Sequence, residues 1–261
     1  MSRPLLLTLP WAGPGLGGFT STRVGGVSQG ACDSLNLGFN TQDEPSAVLA
    51  NRRLAFEAAG LNLDHSVFLQ QVHGDQVMEA GHADGGRGSL AWQDGLSACD
   101  AVFTRQRGLA LAIGHADCLA VVLADPVSGL LGVAHAGWRG ALAGLPAKLA
   151  RRILAEGAQP ARLQAVLSPC LGPRHLELSE LEHRLFSAAY AKADDFCSPL
   201  RDGHFHLNLW ACARQQLSMA GVPPERIQGQ ELDTAELPEL FYSHRRDHGL
   251  TGRMLTVAVL K

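Results

Sequence analysis

No Cys-x-x-Cys pair occurs in the 261 residues, although cysteines stand at positions 32, 99, 118, 170, 197 and 212. Zinc fingers, zinc ribbons and thioredoxin-type redox centres are thereby unsupported. A basic tract is also missing. Lys and Arg number 22 against 25 Asp and Glu, a net charge of −3, so nucleic acid finds no electrostatic footprint. Long apolar runs are absent too. Residues 5–10 (LLLTLP) are too short for the core of a signal peptide, and nothing approaches a membrane span. The early glycine-rich stretches, 13–18 and 21–28, do not sit between a strand and a helix, which argues against a Rossmann or P-loop nucleotide site. What remains is ordinary globular composition, with 46% apolar and 18% charged residues. The expectation is a single domain over 1–261, cytoplasmic, with reduced thiols, as monomer or homodimer.

The chain does have a concentrated run of chemistry. Gly114-His115-Ala116-Asp117-Cys118 is followed, after an apolar stretch, by Ala134-His135-Ala136-Gly137-Trp138-Arg139-Gly140. Residues 119–124 (LAVVLA) and 130–134 (LLGVA) read as two strands joined by the turn residues 125–129 (DPVSG). Pairing about the Pro126–Val127 midpoint sets Cys118 opposite His135, with Cβ atoms about 5 Å apart. That separation suits two ligands of one metal or a Cys–His nucleophile pair. A slip of one residue would put them on opposite faces.

Both faces of this hairpin are apolar, so it is covered on both sides in a layered protein. Further strands are expected at 67–72, 101–104, 109–113, 162–167 and 253–260. Helices are expected at 45–59, 141–156, 177–192 and 207–220, with Pro146 kinking or starting the second of these. Residues 34–38 read as a short strand or turn, and 81–95 as a polar loop. Strands and helices mix without strict alternation, which favours α+β.

Among eleven histidines, His65, His82, His175 and His183 read as surface residues. His73 ends an apolar strand before Gly74, and beside Cys118 and His135 it becomes a third ligand. A Cys-His₂ set leaves a fourth tetrahedral position open, the catalytic zinc pattern. Copper is the alternative, but the four methionines offer no clear axial ligand and only one His-x-His occurs, at His204 and His206. Arg139 stands four residues after His135, its planar fork free for phosphate or carboxylate. Residues 243–247 (SHRRD) form a second cationic cluster.

As a set, these motifs resemble the YfiH family, also called the laccase-domain or multicopper polyphenol oxidase family, and described as purine nucleoside phosphorylases or peptidoglycan editing factors. The resemblance rests on 19–23 (FTSTR), 25–28 (GGVS), 34–38 (SLNLG), 51–53 (NRR), 71–74 (QVHG), 116–119 (ADCL), 135–140 (HAGWRG), 241–247 (FYSHRRD) and 251–253 (TGR). It implies an α/β/β/α sandwich and a zinc or copper site at His73, Cys118 and His135. It implies phosphorolysis of adenosine, inosine, guanosine and methylthioadenosine, and deamination of adenosine. Cys118, His135 and Arg139 are then the catalytic candidates, and Arg23, Asn36, Arg139 and Arg246 the substrate- or phosphate-binding ones. The partners expected are a nucleoside and phosphate, with no nucleic acid and no membrane. Alternatives are a peptidoglycan-editing hydrolase and a copper-dependent polyphenol oxidase. The chain departs from the family at His115, Ala120, Cys170 and Asp233, which bears on base specificity.

Overall fold

A computed structural model describes residues 3–11 and 13–261. Two sheets lie face to face. The larger runs in the order Ile227–Gly229, Gln164–Leu167, Leu119–Asp125, Leu130–Ala136, Ala101–Thr104, Val77–Ala80. The second runs Leu6–Thr8, Leu16–Ser21, Met254–Leu260, Ala110–His115, Ser66–Phe68. A small third sheet joins Glu177–Leu178, Phe205–Leu207 and Cys197–Pro199.

Period-two alternation explains the layering. Leu119, Val121 and Leu123 share a core with Leu149 and Ile153 of the helix Leu145–Ala155 and with Cys212 and Leu217 of the helix Leu209–Met219. Ala120, Val122 and Ala124 instead meet Leu111, Ile113 and Ala258 of the second sheet. The far side of that sheet, with Ala112, Leu255 and Val257, is covered by Ala55 and Phe56 of the helix Pro45–Ala58. Helix, sheet, sheet, helix is the expected α+β sandwich.

The hairpin differs from the expected register by two residues. Ala120 faces His135 and Leu119 faces Ala136. Asp125 pairs with Leu130, so the connection has four residues and is centred one position later than the sequence suggests. Asp125 closes it, accepting from the Val127 and Ser128 amides (3.1 and 3.2 Å), and Gly129 takes a positive φ of 66°. A two-residue shift preserves faces, so Cys118 and His135 stay on one side as diagonal neighbours.

Other expectations shift for local reasons. The strand at 67–72 is only Ser66–Phe68, followed by an isolated bridge at Leu69 and then loop. His73 therefore sits in a loop, with φ 60°. The helix at 141–156 is two, Trp138–Leu142 and Leu145–Ala155, separated by Gly144 at φ 74°. Pro146 starts the second rather than kinking it. The helix at 177–192 shortens to Glu180–Ala189 because Ser179 and Glu182 form a capping box. Asn208 likewise caps Leu209–Met219 through the Ala211 amide (3.0 Å). Residues 34–38 form no strand among the described residues. Of the histidines read as surface residues, His65 and His82 are exposed. His175 is half-buried with Nδ1 2.8 Å from Asp233 Oδ2, and His183 stacks on Phe205 with ring centroids 3.5 Å apart. Among the described residues no helix is long and apolar enough to cross a membrane.

Candidate metal centre and its cavity

His73, Cys118 and His135 come together at the open ends of the hairpin. One donor atom from each lies within 4.8 Å of the other two. The two imidazoles meet edge-on, with centroids 4.9 Å apart and planes at 74°. Cys118 follows Asp117, whose φ of 84° turns the chain into the Leu119–Asp125 strand. Gly137 gives the thiol its room, because a Cβ there would stand 2.6 Å from Cys118 Sγ.

Asp100 organises the centre. This residue was not singled out in the sequence, where it reads only as an acid preceding an apolar strand. It is fully buried. Its Oδ1 accepts from the His73 amide (3.0 Å) and lies 2.9 Å from His135 Nδ1. Its Oδ2 accepts from the Val72 and Gly74 amides (3.1 and 2.7 Å). One carboxylate thus fixes the loop that carries His73 and the ring of His135, leaving Nε2 of His135 for a metal. A carboxylate behind a ligating histidine sets its tautomer and raises its basicity.

The electrostatics follow. Burial opposes ionisation of Asp100, but the bond to His135 and those from the Gly74 and Val72 amides hold its pKa below the ordinary carboxylate value. Burial likewise opposes a thiolate at Cys118, yet His135 and His73 pull the thiol down. His135 moves the other way, its burial outweighed by Cys118 and Asp100. The donor set is one thiolate and two imidazoles, which suits zinc or copper better than hard cations. His204 and His206 lie away from this centre, on and beside the Phe205–Leu207 strand, so no second pair of imidazoles joins it among the described residues.

The centre opens into a cavity of about 370 Å³. Arg139, His244, Arg245 and Arg253 line it, as do Phe39, Phe68, Trp92 and Trp138. Arg139 is exposed, with its guanidinium carbon 4.3 Å from the Trp138 ring centroid. Arg245 is anchored by its amide to Asp117 Oδ2 (2.6 Å) and by Nη1 to the His175 carbonyl (2.7 Å). His115 also lines the cavity; its Nε2 lies 2.9 Å from Thr256 Oγ1, and burial lowers its pKa to about 3.

Three other expected residues are not in the cavity lining. Arg23 spends its guanidinium on the Asp33 and Pro238 carbonyls, over the Tyr242 ring. Arg246 holds the Thr234 and Phe241 carbonyls and grips Asp247 with both Nε and Nη2. Asn36 is buried and accepts from the Gly38 and Arg253 amides (3.1 and 2.8 Å), so it positions the backbone of a lining residue. Arg245 and Arg253 stand where Arg23 and Arg246 were expected; only tertiary contacts distinguish the four. A second cluster, His175, Asp233 and Glu236, has donors within 4.8 Å, but Glu236 is engaged by Arg174 (2.6 Å).

The family described as multi-copper polyphenol oxidoreductase laccase matches residues 18–261. The chain belongs to this family. It is 32% identical over 247 residues to the purine nucleoside phosphorylase YlmD of Bacillus subtilis, covering 94% of this chain and 88% of that one. It is 38% identical over 259 residues to a purine nucleoside phosphorylase of Xylella fastidiosa, covering 97% and 96%. Among solved structures, YfiH of Bacillus licheniformis superposes with a TM-score of 0.91 at 32% identity, covering 94% and 93%.

Proposed function

We propose that this chain is a zinc-dependent purine nucleoside phosphorylase of the cytoplasm, a single domain acting on adenosine, inosine, guanosine and methylthioadenosine and also deaminating adenosine. The observation that carries the reading is one cavity holding both the His73, Cys118 and His135 donors and the cationic side chains of Arg139, Arg245 and Arg253. Phosphorolysis needs an anion and a sugar held against one another, and these two groups of residues serve that need. The names of the relatives support the same reaction class. Six free cysteines suit a reducing compartment.

His73, Cys118 and His135 would hold the metal, with Asp100 behind His135. Bound there, zinc would supply a Lewis-acid centre and lower the pKa of a coordinated water to about 7. The protein's own side chains do the rest. Arg139, with no carboxylate partner among the described residues, offers its fork to phosphate and stays aligned on Trp138. Arg253 is pinned by Nη1 to the Thr251 and Gly252 carbonyls (3.0 and 2.9 Å), leaving its other guanidinium nitrogens toward the ligand. Leu171, Leu176 and Leu209 give the cavity an apolar wall, which strengthens each charge interaction by excluding water.

The test is adenosine with phosphate, using zinc-loaded protein and chromatographic product identification. Adenine with ribose 1-phosphate is expected, together with phosphate-independent inosine. Cys118→Ala should abolish both while leaving the circular dichroism unchanged. No nucleoside turnover by metal-replete protein overturns the reading, and turnover of a muropeptide in its place would assign the hydrolase alternative.

A further inference from the structure

The small third sheet carries two histidines that neither the core nor the metal centre uses. Its middle strand, Phe205–Leu207, pairs with Glu177–Leu178 on one side and with Cys197–Pro199 on the other. His204 stands just before that strand with extended backbone, φ −94° and ψ 161°. Its carbonyl accepts from the Leu200 amide (2.8 Å), so the pairing continues through it. Side chains along an extended segment alternate between faces. Leu207 is buried in the core, and Phe205 packs against that core with its ring stacked on His183 of the helix Glu180–Ala189. His204 and His206 therefore share the opposite, outer face. Glu177 and Ser198 lie on it too, both exposed and both paired directly with His206.

The two imidazoles are held the same way round. His204 Nδ1 is buried against the Glu177 carboxylate and contacts its Oε1. His206 Nδ1 is buried with no hydrogen-bond partner among the described residues. In both rings Nε2 is the nitrogen left on the solvent side, and no group takes it up among the described residues. A carboxylate behind Nδ1 keeps the proton there and leaves Nε2 bare, as in a metal-ligating histidine. Residues i and i+2 of a strand are about 6.7 Å apart. Two imidazoles at that spacing can lean together onto one ion about 2.0 Å from each nitrogen. The side chains of His204 and Glu177 are 46% and 44% exposed, which gives them room to turn.

We propose that His204 and His206 form a second metal site on the outer face of this sheet, a two-imidazole chelate for a divalent ion of the copper and zinc class, with Glu177 orienting His204. Water fills the remaining positions. Among first-row divalent ions copper(II) binds nitrogen donors most tightly, and its tetragonal plane accepts two imidazoles side by side. The site has no thiolate, unlike the centre at His73, Cys118 and His135, so it selects no soft ion. Glu177 follows Leu176, a residue of the cavity wall whose carbonyl accepts from the Leu207 amide (2.9 Å). An ion held by His204 and His206 thus braces the strands beside that wall.

The probe is copper(II) chloride, added to zinc-loaded protein so that the thiolate centre is occupied first. One equivalent should broaden the amide resonances of residues 176–178, 197–199 and 204–207 in the wild type. Electron paramagnetic resonance should show two nitrogens in the copper plane. His204→Gln and His206→Gln should each abolish both signals, with the circular dichroism unchanged. Glu177→Gln should weaken binding roughly tenfold or more. Broadening centred on His175, Asp233 and Glu236 in place of His206 overturns the site, and so does a two-nitrogen signal that survives the histidine variants. Equal affinity in Glu177→Gln overturns the orienting role of the carboxylate. The wild-type broadening needs no variant to fold. Copper that also enters the first centre adds broadening around Cys118 without removing that around His206, so failure of either site is read separately.

Discussion

Asp100→Asn is the sharpest test of how the metal centre is built. The carboxylate receives three backbone amides and faces His135 Nδ1, two contacts on each oxygen. An asparagine has one accepting oxygen. If the amide oxygen takes the Oδ2 position, its NH₂ meets the His73 amide and His135. The imidazole can answer only by accepting at Nδ1, which moves its proton to Nε2, the nitrogen needed by the metal. If the amide oxygen takes the Oδ1 position, the Val72 and Gly74 amides lose their acceptor. One buried contact fails in the first case and two in the second, at about 1–3 kcal/mol each, so a loss of about 1–6 kcal/mol is expected. For a chain of this size each kcal/mol lost lowers the Tm by roughly 2–4 °C. Zinc affinity should fall about 10- to 100-fold, the usual cost of removing a carboxylate behind a ligating histidine. Scanning calorimetry of metal-free protein reads the first effect, and competition with a chromophoric chelator the second. Zinc affinity within twofold of wild type, with an unchanged Tm, would refute the account of Asp100.

Gly137→Ala should displace the Cys118 thiol, since the new Cβ would stand 2.6 Å from Sγ; zinc bound per chain should drop sharply while circular dichroism is retained. Arg139→Lys keeps the charge but loses the fork, so the KM for phosphate should rise several-fold with the nucleoside KM unchanged, and an unaltered phosphate dependence would assign Arg139 to packing on Trp138. Burial opposes ionisation of Asp125, but the Gln159 amide, Arg162 and Ser128 hold its pKa at about 2. Because the folded value lies below the unfolded value of about 3.9, its stabilisation is complete above about pH 5 and is lost as pH falls toward 2, up to about 2 kcal/mol. Asp125→Asn should therefore flatten the urea-midpoint-against-pH curve within that window; a curve parallel to wild type would place the acid sensitivity elsewhere.

Much of the site was legible because its residues are local in sequence. Cys118 and His135 flank one hairpin, and parity along a strand put them on one face even though the turn moved the register by two. Family motifs carried His73 to the same place, although its strand ended four residues earlier than periodicity implied. The three-layer burial of the hairpin was written in its apolar alternation, and the sandwich followed from it.

The arginines were not legible in this way. Arg23, Arg246, Arg245 and Arg253 look alike in a sequence, and each sits in a recognisable motif. Which of them faces a ligand depends on which carbonyls, acids and rings take up its donors, and those partners lie up to 215 residues away, as with Arg23 and Pro238. Asp100 was hidden for the same reason: strand pairing sets it beside His135, whose amide donates to its carbonyl (2.7 Å), and the loop leaving the second sheet brings Val72, His73 and Gly74 onto its carboxylate. The sequence by itself determined the candidate donor set and the layered class, because these follow from short-range spacing and from alternation. Only the tertiary structure decided which charges are already satisfied and which remain free to act, because a side chain's hydrogen-bonding capacity is finite and is consumed by whatever folding brings beside it.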